Sequence, residues 1–177
     1  MKRIMIIGSP GSGKSVFARE LAKVLDYPVL HLDKIYHINN YIQITKDKLK
    51  AQIKDFALKN DNFIIDGNYL GTMEYRLQFC DTVFLFDIPT EVCLDNARER
   101  MEDNTKRDDM NHGFDHTIYD PDFFSFIKNF KKESYPRVLE TIGRYPEVEV
   151  IKIFNYEEKY QILDSLKKQV KSWRNLN

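Results

Sequence analysis

An α/β fold, a parallel sheet with helices on both of its faces, is what this sequence predicts. Five short apolar runs, at residues 4–7, 29–32, 63–65, 82–86 and 148–153, read as strands. Stretches of helical period separate them, and that alternation implies parallel pairing through right-handed crossovers. The first run leads through a glycine-rich loop directly into a helix. The chain has 177 residues, a length that suits one domain.

The first strand is Ile4-Met5-Ile6-Ile7, and the loop after it is Gly8-Ser9-Pro10-Gly11-Ser12-Gly13-Lys14-Ser15. It fits G-x-x-x-x-G-K-[ST], a phosphate-binding P-loop. A triphosphate needs several hydrogen-bond donors converging on one point. Glycines let backbone N–H groups curl inward, and the following helix aims its unbonded N–H groups and positive dipole end at the anion. ATP or another nucleoside triphosphate is therefore expected on Gly8, Ser9, Pro10, Gly11, Ser12, Gly13, Lys14, Ser15 and Val16. Lys14 would sit on the β- and γ-phosphates, and the Ser15 hydroxyl on Mg²⁺.

The P-loop helix carries Phe17, Leu21 and Val24/Leu25 on one face and stops at Asp26-Tyr27-Pro28. Past the second strand stands Asp33. Ligands in open α/β sheets bind beyond the carboxyl ends of the strands, so Asp33 is a candidate base or substrate anchor. The plainer reading is a helix cap or turn aspartate. His31 reads as a packed strand residue, because no second histidine or cysteine is spaced to share a metal. Residues 34–45 read as irregular. Thr45 is expected to cap a helix with Leu49, Ile53 and Phe56/Ala57 inward and Lys46, Lys48, Lys50 and Lys54 in solvent. The third strand ends at Asp66-Gly67-Asn68-Tyr69. An apolar run ending in an aspartate fits a Walker-B acid, which holds Mg²⁺ opposite the P-loop hydroxyl. Asp-Gly also marks plain turns.

A short helix from Met73 to Phe79 carries Arg76, and the fourth strand ends at Asp87. Thr90 is expected to cap the next helix, with Val92, Cys93 and Ala97 toward the core. On that helix Arg98 and Arg100 lie about 200° apart around the axis, so they cannot both face one site. Residues 104–115 have no hydrophobic period and read as a solvated loop, or as a lid should they lie over a nucleotide. Asp120-Pro121 starts a helix as cap and first residue. Phe123, Ile127 and Phe130 line its face, and Pro136 is expected to kink or restart it. The last strand alternates only in part, which places it in a more exposed position than the first. Asn155 with Glu158 resembles a capping box, and Tyr160, Leu163, Leu166, Val170 and Trp173 form the apolar face of a final helix.

Lysine and arginine number 27 and aspartate and glutamate 27, so the net charge is zero. No whole-protein field draws the chain to nucleic acid or an anionic membrane. The dense basic patch of Lys128, Lys131, Lys132 and Arg137 reads as a solvated helix face. Cys80 and Cys93 read as reduced packing residues. The apolar N-terminal run is too short for a signal peptide, and no segment has the length to span a bilayer. The cytoplasm is the expected location.

Gly8 to Ser15, the strand ending at Asp66-Gly67-Asn68-Tyr69, and Phe86-Asp87-Ile88-Pro89-Thr90-Glu91 resemble the P-loop small-molecule kinases of the adenylate kinase type. Asp66 to Tyr69 with Thr72 and Arg76, then Arg107-x-Asp109-Met110, then Phe124 to Phe130, resemble a set of small bacterial kinases labelled DNA topology modulation proteins. The likeness covers nearly the whole chain and is weakest after about Gly143. It implies a three-layer α/β/α fold whose parallel sheet has the strand order 2-3-1-4-5. It places Asp66 in the Walker-B position, Asp33 on the acceptor side, residues 34–60 in acceptor binding and residues 101–117 in the lid. Arg100 matches a lid-hinge arginine that clamps phosphate. There are departures. Asn96 stands where adenylate kinases have an arginine, Asp108 stands where the closer relatives often have proline, and the acceptor segment lacks the adenylate kinase pattern for AMP.

The expected activity is phosphoryl transfer from ATP with Mg²⁺ to a small acceptor, a nucleotide or nucleoside among the candidates. Lys14, Asp33, Arg100 and Arg107 are the expected catalytic residues. Asp33, Asn68 and Arg76 are expected on the acceptor, the Arg76 fork suiting a phosphate or carboxylate. Ser15 and Asp66 are expected on the metal. The rival readings are a nucleotide-dependent regulator of DNA topology and a plain NTPase. A monomer and a homodimer are both open.

Overall fold

The computed structural model describes residues 1–103 and 108–174, the last of these by its backbone alone. Strands β1 (Arg3–Gly8), β2 (Val29–His31), β3 (Phe63–Asp66), β4 (Thr82–Phe86) and β5 (Glu149–Ile153) pair in parallel in the order β2-β3-β1-β4-β5. They alternate with helices α1 (Lys14–Leu25), α2 (Leu32–Tyr36), α3 (Lys46–Lys59), α4 (Leu70–Leu77), α5 (Thr90–Glu102), α6 (Pro121–Asn129), α7 (Tyr135–Gly143) and α8 (Tyr156–Arg174). The α/β class and the expected strand order are both observed.

β1 is central because it is apolar on both faces. Ile4 and Ile6 join one buried layer with Phe17 and Leu21 of α1, Cys93 of α5, Ile127 of α6 and Leu163 of α8. Met5 and Ile7 join the other, with Ile53 of α3, Met73 of α4 and Val138 of α7. Phe17 anchors the P-loop helix. Its ring stands edge-on to Phe84 at 5.0 Å and to Phe86 at 5.3 Å. The parallel register brings the ends of four strands to one edge. His31 lies opposite Asp66, Asp66 opposite Ile6, and Gly8 opposite Phe86.

Several elements differ locally from the expectation. β2 ends at His31, and Leu32 opens a short helix where irregular chain was expected. Leu32 is fully buried, and Asp33 in the first turn complements the positive end of the helix. α4 starts at Leu70, three residues early, because the Tyr69 carbonyl already accepts from the Thr72 N–H. Thr90 is the first residue of α5 and Pro89 its cap, with no side-chain bond. Thr45 and Asp120 do cap, each accepting a backbone N–H of its helix's first turn. Near Pro136 the expected interruption takes the form of a single π-helical turn at Phe130–Ser134, after which α7 runs on to Gly143 with Pro136 in its first turn. Along α8 the buried stripe runs through Lys159 and Leu163, leaving Tyr160 and Trp173 exposed. Lys159 tolerates burial because its ammonium meets Glu20 at 3.3 Å and lies 4.3 Å from the centre of the Tyr160 ring. The expected capping box forms, with Asn155 accepting from the Glu158 N–H and Glu158 reaching back to the Phe154 N–H.

Cys80 and Cys93 are buried free thiols. Among the described residues no helix is long and apolar enough to cross a membrane. Replacing Phe17 by alanine empties the joint between α1 and the sheet. It should lower the unfolding free energy by about 3–5 kcal/mol in urea denaturation, and a loss below about 1 kcal/mol would contradict this packing role.

Candidate active site

The P-loop closes around a point above β1. Gly11 has φ 77°, and a Cβ there would collide with the Cys93 carbonyl, so no other residue fits. α1 begins at Lys14 with no side-chain cap, which leaves its first N–H groups to an anion. The Ser12 hydroxyl is buried with no hydrogen-bond partner among the described residues. A cleft of ≈ 250 Å³ brings together Gly11, Gly13, Lys14, Ser15, Val16 and Arg100. Its outer wall is acidic. Asp103, Asp108 and Asp109 line it, and Asp109 pairs with Arg19 at 3.6 Å. A phosphate chain entering here meets carboxylates, a repulsion that a bound divalent cation offsets.

The loop is held from outside as well. Asn96 of α5 donates to the Gly11 carbonyl at 2.7 Å and contacts the Tyr156 hydroxyl at 2.6 Å. The Tyr156 ring packs against Gly13. The residue that departs from the adenylate kinase pattern thus ties α5 and α8 to the P-loop.

Asp66 sits at the end of β3 beside β1. Its Oδ2 lies 2.8 Å from His31 Nδ1, and its Oδ1 is buried with no partner among the described residues. His31 is therefore a carboxylate partner and not a bystander in the core. The register that joins them becomes visible only once β2 and β3 are paired. Among the described residues no group of three or more His, Cys, Asp or Glu gathers to hold a metal. Mg²⁺ on a nucleotide needs few protein ligands, all of them oxygen, and the Ser15 hydroxyl with the open Asp66 oxygen fits that chemistry.

Arg76 corrects the expectation that it grips the acceptor. Its side chain is fully buried and lines none of the clefts described here. Nη1 donates to the Gly67 carbonyl at 2.8 Å, and Nη2 donates to Asn68 at 2.6 Å and Tyr69 at 3.1 Å. Burial lowers its pKa to about 10, which leaves it a cation at neutral pH. The guanidinium thereby fixes the turn after β3. Tyr69 takes the unusual φ of 21° in that turn.

The fixed turn aims two groups at a second cavity, of ≈ 360 Å³, whose lining includes Pro10, Lys14, Asp33, Asn68, Tyr69 and Arg100. The Tyr69 hydroxyl donates to Asp33 Oδ1 at 2.7 Å. Burial, then the charge and the hydrogen bond of Asp33, hold that phenol far above its ordinary pKa, so it stays a neutral donor. Asn68 Oδ1 is buried with no partner among the described residues. His37, also in this lining, is pushed below its usual pKa by burial, which outweighs the Asp33 charge, and is neutral at pH 7. Lys14, Asp33, Asn68 and Arg100 thus meet in one space. Arg98 faces away and pairs with Asp95 at 2.7 Å, as the helical spacing requires. Arg107 lies outside the described residues.

Residues 108–117 are bonded to residues 34–43, which composition gave no sign of. Asn40 Nδ2 donates to the Asp115 carbonyl, and the Asp115 N–H donates to Asn40 Oδ1, both at 2.7 Å. Gly113 packs so close to the Ile38 carbonyl that a Cβ there would approach it to 2.5 Å. The basic patch on α6 and the following turn is also partly spent. Lys131 pairs with Asp87 at 2.8 Å, and Tyr135 donates to the same carboxylate at 2.7 Å. Burial alone would raise the Asp87 pKa, but these two partners hold it below the ordinary range.

Residues 4–66 match the model of the ATPase family associated with various cellular activities. The chain is similar to the solved shikimate kinase from Acinetobacter baumannii in complex with shikimate, at 14% identity over 97% of this chain and 94% of that one, TM-score 0.60. A gluconokinase from Sinorhizobium meliloti is similar at 14% identity over 99% and 97%, TM-score 0.56. A shikimate kinase from Aquifex aeolicus is similar at 25% identity over 94% and 97%, TM-score 0.51. Comparison with curated proteins gives no match. The fold is that of P-loop NTPases, and its structural neighbours are small-molecule kinases. These neighbours do not single out the DNA topology modulation group.

Arg76→Leu would strand the Gly67 and Asn68 carbonyls at about 1–3 kcal/mol each, while the Tyr69 carbonyl keeps the Thr72 N–H. The variant should lose about 2 kcal/mol or more in urea denaturation, and wild-type stability would contradict the bracing role.

Proposed function

We propose that this protein transfers the γ-phosphoryl group of ATP to a hydroxyl of a small acceptor. The observation that carries the proposal is one cavity holding Lys14 and Arg100 on the phosphate side and Asp33, Asn68 and Tyr69 on the other. A hydrolase needs only the phosphate cleft. A second chamber that shares its lysine and offers a positioned carboxylate supports an acceptor other than water.

Phosphoryl transfer asks the protein mainly for alignment and positive charge, since the transition state spreads charge over the γ-phosphoryl oxygens. Lys14 supplies that charge from the start of α1, and the backbone N–H groups from Gly11 to Val16 cradle the phosphates. Arg100 completes the clamp from the last turn of α5, with Arg107 as its proposed companion. Ser15 and Asp66 would hold Mg²⁺, which would supply positive charge against the phosphates. His31 holds the second Asp66 oxygen and so aims the free one. Asp33 orients the acceptor hydroxyl and takes its proton as the bond to phosphorus forms. The Tyr69 hydroxyl holds one Asp33 oxygen, leaving the other to the acceptor. Residues 34–60 serve as the acceptor-binding region and residues 101–117 as the lid. Single-domain organisation over 1–177 and a cytoplasmic location accord with this reading. The resemblance to DNA topology modulation proteins enters here as kinship of sequence pattern, and zero net charge supports a small-molecule substrate over DNA.

Two variants test the assignment by ADP release in the presence of acceptor. Lys14→Ala should cut turnover by about 10²-fold or more while the circular dichroism spectrum stays native, and retained turnover would refute its role. Asp33→Asn should slow transfer by about 10²-fold with little change in ATP affinity. A loss confined to ATP affinity would move Asp33 off the acceptor side.

A further inference from the structure

Beside the reaction cavity lies a chamber of ≈ 340 Å³, and the two share His37, Arg100 and Phe123 in their linings. Its remaining walls include the aromatic rings of Tyr41, Phe114, Tyr119 and Phe124. Phe114 meets the His37 ring at 5.2 Å, and Tyr119 stacks on Phe124 at 5.2 Å with the planes 23° apart. Tyr41, Ile118, Tyr119 and Phe123 border the chamber yet remain exposed, a concentration of solvent-facing apolar surface that marks a binding site more often than chance. Gln43 and His116 add hydrogen-bonding groups to the same lining. A carboxamide both donates and accepts, as the edge of a heterocycle requires.

The charges are as informative as the shape. Among the described residues lining the two chambers, the lysines and arginines are Lys14 and Arg100, and both also line the phosphate cleft. Arg76 is sealed behind the turn it braces. Asp33, Asp115 and Asp120 contribute carboxylates. An acceptor bearing its own phosphate or carboxylate would lie against these carboxylates, and among the described lining residues both cations would already be engaged by the donor phosphates.

We infer that the acceptor is an uncharged nucleoside, its sugar hydroxyl at Asp33 and its flat base between the aromatic walls of the second chamber. This rests on the phosphoryl-transfer reading and names its substrate class. Stacking on aromatic faces tolerates different bases, so selectivity among them falls to the polar lining.

The test is ADP release by the full chain with ATP and Mg²⁺. The probes are adenosine, guanosine, cytidine and thymidine, their 5′-monophosphates, shikimate and gluconate. At least one nucleoside should accelerate release about tenfold or more over the acceptor-free rate and exceed its own monophosphate and both acids. A monophosphate or acid that outperforms every nucleoside would overturn this inference and leave phosphoryl transfer standing. Indifference to every probe would overturn both. Phe114→Ala should raise the KM for the active nucleoside about tenfold with the KM for ATP unchanged. Tyr119→Ala, on an exposed wall, repeats the test with less risk to folding. An unchanged nucleoside KM in both would remove the base from this chamber.

Discussion

A buried guanidinium holds the turn after β3, and the proposed acceptor half of the site hangs from that turn. Arg76 satisfies the carbonyls of Gly67, Asn68 and Tyr69 at once. The rigid fork spreads donors from two nitrogens over three carbonyls in one fixed plane. The turn needs this brace. Gly67 and Tyr69 both have positive φ, and a Cβ on Gly67 would press on Leu32 at 2.9 Å. Strain of this kind persists only where the surroundings overdetermine it. What the brace secures is the position of Asn68 in the cavity and of the Tyr69 hydroxyl on Asp33.

The phosphate half is organised in a parallel way, from the opposite layer. Gly11 curls because Cys93 leaves no room for a side chain, and Asn96 ties its carbonyl to α5. Tyr156 brings α8 into the same contact. The P-loop and the turn after β3 are therefore each held by a helix from a different face of the sheet. β1 lies between them, buried on both sides.

Local signals carried the part of this that local chemistry determines. The P-loop, the Thr45 and Asp120 caps, the Asn155–Glu158 box and the alternation of strands were legible because each is complete within a few residues. Asp33 drew notice because it follows a strand end and Asn68 through the resemblance of Asp66 to Tyr69, and both line one cavity. Arg76 was legible as important but misplaced, since a fork suited to a phosphate suits backbone carbonyls equally. His31 was invisible as a partner of Asp66 because only strand pairing unites residues thirty-five apart. The aromatic chamber was likewise hidden. Its walls come from residues 37–43, 97–101 and 114–124, and nothing in any of these stretches announces the others.

The account stands on a triphosphate entering the cleft over Lys14. Isothermal titration calorimetry of the full chain with ATP in the presence of Mg²⁺ tests this most directly. It should give a saturable isotherm with one site per chain. No saturable heat with ATP or GTP at millimolar concentration would contradict the account at its base.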